Sequence, residues 1–141
     1  MLTALLLFGL RGGQAFASPP FAVARLDGVT IAGLPAVTGH IHVDQFGYLP
    51  DEDKVAVISA PVHGYNSDDH YAPGNSLELR KRDGGAVVFS GPAKPWNGLK
   101  VHEDSGDRGW WFDFSAFNKP GEYYVFDPST QKRSPIVRIG P

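Results

Sequence analysis

The chain has no cysteine, so neither a disulfide nor a thiolate metal site is open to it. Basic clusters are also scarce. Arg80-Lys81-Arg82 is the only basic run and the formal net charge is −2, which argues against a nucleic-acid partner, because phosphate binding needs grouped Lys and Arg. On a strand, alternation would split that run between two faces. No Ser sits in a Gly-x-Ser-x-Gly elbow, no glycine loop is spaced to cradle phosphate, and no acidic cluster has EF-hand spacing. Long apolar runs are missing too, since Leu2 to Leu10 is too short to span a bilayer.

What remains is an ordinary globular composition. The 141 residues are 42% hydrophobic and 20% charged, enough for one domain with a core that needs no staples. The 17 Gly and 12 Pro favour many turns over long helices. Residues 1–17 read as a candidate signal peptide, with small residues at Ala15 and Ala17 suited to cleavage before Ser18. No Lys or Arg precedes the apolar run, and Arg11 follows it. The expectation is an exported protein, secreted or periplasmic, with no membrane association after removal of that segment.

The stretch Gly109 to Phe126, GWWFDFSAFNKPGEYYVF, organises the rest. Gly109–Phe114 and Glu122–Phe126 read as aromatic-rich strands, with Ser115, Asn118, Lys119, Pro120 and Gly121 supplying a bend between them. Gly121 and Tyr123 have the spacing of a tyrosine corner, and Val125 then stands where an antibody domain has its second cysteine. Asp113 marks one face as solvent-accessible. Alternation therefore assigns Trp110, Phe112, Phe114, Tyr123 and Val125 to the core, and Trp111, Tyr124 and Phe126 to an outward aromatic patch; the alternative is that the faces are inverted and Asp113 is a rim residue.

Along the chain, residues 18–39 form a lead segment in which Arg25 to Ile31 is either a first strand or linker. His40-Ile41-His42-Val43-Asp44-Gln45-Phe46 and Lys54 to Ala60 read as strands, followed by a long loop from Pro61 to Asn75. Ser76–Arg82 and Ala86–Ser90 flank an Asp83-Gly84-Gly85 hairpin signal, Gly91 to Arg108 is irregular, and Arg133–Ile139 reads as the last strand. The predicted fold is all-β, an immunoglobulin-like antiparallel β-sandwich of about seven strands over residues 40–141.

Two motifs together identify a family. Val43 to Ser59, VDQFGYLPDEDKVAVIS, and the later SGDRGWWFDFSAFNKPGEYYVFD followed by RSPIVRI resemble the immunoglobulin-like N-terminal module of family nine glycoside hydrolases, the inverting cellulases. The residues carrying the resemblance are Gln45, Gly47, Tyr48 and Pro50, then Asp113, Phe114, Ser115, Pro120, Gly121 and Tyr123; Asp44 stands where the family pattern has asparagine. The resemblance covers about residues 40 to 140. It implies a partner, a helical catalytic barrel of a β-1,4-glucan hydrolase, against which the module packs. It places the carboxylate pair needed for inversion in that barrel, so no catalytic residue is assigned here.

Three candidate chemistries arise from the residues themselves. His40 and His42 are two apart and could share a strand face as metal ligands, with His63, His70 and His102 in loops; ordinary surface histidines are the simpler reading. Asp51-Glu52-Asp53, Asp68-Asp69 and Glu103-Asp104 with Asp107 could take calcium, or be solvated turns; no cofactor is otherwise expected. Trp96, Trp111, Tyr124, Phe126, Tyr65 and Tyr71 are the carbohydrate or domain-interface candidates, because aromatic faces stack on sugar rings and also serve as apolar docking surface. Cellulose or another β-glucan is the ligand in the first case. Docking is the simpler reading for Trp111 and Tyr124, and loop packing for Trp96, Tyr65 and Tyr71.

Overall fold

The computed structural model describes residues 33–140, and among them it is built almost entirely of short strands in two sheets. The expected leader and the strand over Arg25–Ile31 lie outside the described residues. The strands are β1 (Ala36–Val37), β2 (Ile41–His42), β3 (Val55–Pro61), β4 (Ser76–Lys81), β5 (Val87–Pro92), β6 (Lys94–Pro95), β7 (Asp107–Asp113), β8 (Gly121–Asp127), β9 (Lys132–Arg133) and β10 (Val137–Ile139). One sheet runs β1-β9-β8-β4-β5, with β10 continuing along the β8 edge; the other runs β2-β3-β7-β6. Among the named strands, all pairings are antiparallel except β1 with β9.

Period-two alternation builds the core. Ala56, Ile58 and Ala60 of β3, Leu77 and Leu79 of β4 and Phe112 of β7 point between the sheets, joined by Ile41, Phe114, Tyr123, Val125, Val137 and Ile139. Phe112 stacks on Phe114 with ring centroids 5.7 Å apart. The sandwich expected from the sequence is therefore the observed fold, but with ten strands among the described residues where about seven were expected.

The extra count has local causes. The last strand is broken between Arg133 and Val137 by Ser134, Pro135 and Ile136. Pro135 has no N–H to give a ladder. Ser134 fills the register instead, its Oγ accepting from Val125 N at 2.9 Å while its own N donates to Val125 O at 2.8 Å. The strand expected over His40–Phe46 is reduced to Ile41–His42, because Asp44 already starts a turn: Phe46 N donates to Asp44 Oδ1 at 2.8 Å. In the irregular Gly91–Arg108 stretch, Lys94–Pro95 pairs with β7, and a tight turn over Trp96–Leu99 follows in which Asn97, Gly98 and Leu99 have positive φ.

Candidate interaction surface

The first family motif is a turn locked from three sides. Asp44 N donates to Tyr48 Oη (3.2 Å), and that hydroxyl donates to Val55 O (2.8 Å). Burial pushes the Tyr48 phenol up, and the neighbouring Asp44 carboxylate adds to the shift against the opposing Asp44 backbone hydrogen bond. The ring meets Phe114 edge-on at 5.4 Å. Underneath, the Lys54 side chain is fully buried and its Nζ donates to Pro50 O and Glu52 O, both at 2.7 Å. Gly47 has φ +91, and a Cβ there would stand 2.5 Å from Arg138 O. Asp44 contributes only an acceptor from its side chain, through Oδ1, a role that an asparagine carbonyl also fills. Gln45 is exposed, and Phe46 stands wholly in solvent at 101% relative exposure.

The second motif anchors the opposite strand. Ser115 donates to Asp113 Oδ1 from both its Oγ (2.7 Å) and its N (3.0 Å), and Ser115 Oγ accepts from Lys54 N at 2.8 Å, tying β7 to the start of β3. Those bonds from the Ser115 hydroxyl and amide, with smaller help from Lys94 and Lys54, hold the Asp113 carboxyl below its ordinary range. The tyrosine corner is present: Tyr123 Oη donates to Lys119 O (3.1 Å) and Pro120 O (3.2 Å). A Cβ on Gly121 would come within 2.9 Å of that hydroxyl, so the glycine is what lets the corner close.

The aromatic candidates separate. Trp111 is half exposed and lies opposite Val57 on β3, itself 43% exposed, with Asp113 on the same outer face. Trp96 is half-buried and leans over Gly109, its Cβ 3.7 Å from where a Gly109 Cβ would be. Trp96, Trp111, Val57, Ser59, His102 and Asp107 line one shallow trough of about 290 Å³ on the four-stranded sheet. The two tryptophans, far apart in sequence, are thus brought to one surface.

Tyr124 and Phe126 are not outward. Both are buried, at 1% and 2% exposure, because two arginines cover that face of the six-stranded sheet. Arg80 lies 3.9 Å over the Phe126 ring and Arg133 5.7 Å over Tyr124, while Glu78 holds Arg80 at 2.6 Å. Burial of the Arg133 guanidinium lowers its pKa from the ordinary arginine value. The residues assigned to the β7 core face stand except that Trp110 is only partly buried; for β8 both faces are interior. Alternation cannot see a face covered by long charged side chains.

Tyr65 is fully exposed in the 62–75 loop. Tyr71 is turned inward: its ring stacks on His40 (4.6 Å, 7°) and its hydroxyl donates to Asp127 Oδ2 at 2.9 Å. His40 Nδ1 donates to Ser59 O at 3.0 Å and its Nε2 lies 3.2 Å from Asp69, whereas His42 is exposed and hydrogen-bonded to Ser59 Oγ at 2.9 Å. Both histidines are engaged with Ser59, through its carbonyl and its hydroxyl, and among the described residues no three His, Asp or Glu side chains converge.

Sequence reasoning missed Phe46, Leu49 and Val57 as exposed apolar groups. For Phe46 the signal was present: a large apolar residue between a turn-forming Asp and a glycine has no strand to carry it inward.

Comparison with curated proteins finds no match. Among solved structures, a metagenome-derived glycoside hydrolase family 9 endoglucanase is 32% identical, with a TM-score of 0.54, over 72% of this chain and 18% of that one. A family 9 glycoside hydrolase of Bacteroides ovatus shares the fold, at 22% identity and a TM-score of 0.52, over 72% of this chain and 15% of that one. The chain therefore spans less than a fifth of these solved relatives. The family model described as the cellulase N-terminal Ig-like domain matches residues 36–132, more than half of the chain, and its locked turn and tyrosine corner occupy the positions the motifs require. The chain belongs to the cellulase N-terminal immunoglobulin-like domain family.

Proposed function

We propose that this chain is the accessory module of an exported β-1,4-glucan hydrolase and that it works by stabilising a catalytic domain attached to it. The observation that carries the reading is apolar surface that the module's own core does not use: the Val57–Trp111 pair and the Phe46–Leu49 turn. Apolar groups concentrated at a few exposed places on a small domain are what an interdomain interface leaves when its partner is removed from view. Mechanically, burying them against the barrel ties the barrel's unfolding to that of the sandwich.

The decisive measurement is the intact mass of the product its native host exports. A mass far above 15.3 kDa, with peptides continuing past Pro141, is expected. A mass matching residues 18–141 alone would sink the reading.

A second reading has its own observation. The Trp96–Trp111 trough brings two indoles together with the polar groups of Ser59, His102 and Asp107, residue types that hold a pyranose ring by stacking and hydroxyl hydrogen bonds. If it binds glucan, insoluble cellulose should retain the protein, and Trp111→Ala, which leaves the buried core intact, should weaken retention about tenfold, the loss of about 1.4 kcal/mol expected for one stacking anchor. No retention of the parent protein would dispose of the glucan site.

A further inference from the structure

Two exposed apolar surfaces compete for the docking role, and their construction differs. The Val57–Trp111 pair lies on the open face of a sheet. Phe46 and Leu49 stand on a turn whose backbone is fixed along its length: Phe46 N on Asp44 Oδ1, Gly47 N on Asp44 O (3.3 Å), Tyr48 N on Arg138 O (2.9 Å) and Leu49 N on Glu52 Oε2 (3.2 Å). Phe46 is wholly exposed and Leu49 half exposed, so the turn spends its hydrogen bonds on holding out side chains that touch little of their own domain. An apolar anchor held in place before contact loses little freedom when it binds.

The position of the turn names its partner. Tyr48 pairs with Ile139, and Gly140 N donates to Tyr48 O at 2.9 Å, so the chain leaves the sandwich hydrogen-bonded to this turn. Whatever follows residue 140 in a longer polypeptide emerges beside Phe46 and Leu49. The surroundings of the prong are mainly acidic, with Asp44, Asp51, Glu52 and Asp53 all exposed; of the two cations beside the turn, Lys54 is buried beneath it and Arg138 is paired with Glu122 at 3.2 Å.

We infer that Phe46 and Leu49 form a preset prong that inserts into an apolar pocket with a basic rim on the domain downstream in the same polypeptide. This rests on the accessory-module reading and specifies the surface it uses. Aromatic anchors ringed by polar groups dominate interface energetics, and charge complementarity at the rim sets orientation.

The test uses the whole exported gene product. Calorimetry and limited proteolysis past Pro141 are compared for the parent, the Phe46→Ser/Leu49→Ser double variant, a Phe46→Leu variant and Trp111→Ser. The parent should unfold in one coupled transition. The double variant should split it and speed cleavage past Pro141 about tenfold or more, as loss of a central anchor does; Phe46→Leu should retain most of the protection and Trp111→Ser nearly all. A coupled, protected double variant overturns the prong while leaving the accessory role intact. Two independent transitions in the parent overturn the accessory role itself, and the prong with it.

Discussion

Valine at position 47 is expected to lower the thermal midpoint of the sandwich by about 12 °C. The residue sits at φ +91, and any Cβ there meets the carbonyl of Arg138 at 2.5 Å. A backbone held in that region by a residue that disfavours it costs about 1–3 kcal/mol. The collision adds to this, because the atom in the way is main chain and can retreat only by lengthening the Tyr48 N to Arg138 O bond and its neighbour, Gly140 N to Tyr48 O. Each such bond is worth about 0.5–1.5 kcal/mol. About 3 kcal/mol in total, at about 4 °C per kcal/mol for a domain of this size, gives the figure. Gly39→Ala is the control, since a Cβ there meets nothing within 4 Å, and its midpoint should move little. Equal midpoints for Gly47→Val and the parent would mean that the end of β10 is not fixed to the turn, and the placement of the chain exit beside Phe46 would go with it.

That turn also shows where sequence was informative and where it was not. Gly47, Tyr48 and Pro50 could be read as a motif because each has a local job: left-handed backbone, a phenol that ties the turn at Asp44 to the start of β3, a carbonyl that receives Lys54. The tyrosine corner was legible for the same reason, since Gly121, Tyr123 and their acceptors Lys119 and Pro120 lie within five residues. The fate of Tyr124 and Phe126 was not legible. It depends on Arg80 and Arg133, which come from other strands and cover the rings with guanidinium groups that a periodicity argument counts as solvent markers. The placing of Trp96 and Trp111 on one surface was equally hidden, because it needs the β6–β7 register that sets Lys94 opposite Trp111 and Pro95 opposite Trp110. In each case what failed was a long-range pairing, and what succeeded was a short-range constraint.

Asp127 combines both kinds and supports the second large prediction. It ends β8 fully buried, and every donor in reach is turned toward it: Ser129 Oγ (2.8 Å) and N (2.9 Å) on Oδ1, Tyr71 Oη (2.9 Å) on Oδ2, and Gly74 N at 3.2 and 3.3 Å from the two oxygens. Burial alone pushes this carboxyl up, but the bonds from Ser129, Tyr71 and Gly74 outweigh burial and leave its pKa below the ordinary aspartate value. Asp127→Ala strands those donors in the interior and should cost about 3 kcal/mol, the sum of a lost charged hydrogen bond and unsatisfied partners. Asp127→Asn keeps the shape but turns an amide toward Gly74 N–H or toward Ser129, and should cost about 2 kcal/mol.

The pH dependence fixes the sign. A carboxyl whose pKa is lowered on folding stabilises the fold fully above its unfolded value, about 3.9, and loses that contribution as the pH falls through the folded value. The gap in midpoint between the parent and Asp127→Asn should therefore be constant from pH 7 to about 5 and narrow progressively below about 4. A gap that stays the same down to pH 2.5 would show that the carboxylate charge contributes nothing and that the site acts through shape alone. A narrowing gap would show that one ionised side chain helps tie the 62–75 loop, through Tyr71 and Gly74, to β8, the strand that pairs with β10 where the chain leaves beside the Phe46 turn.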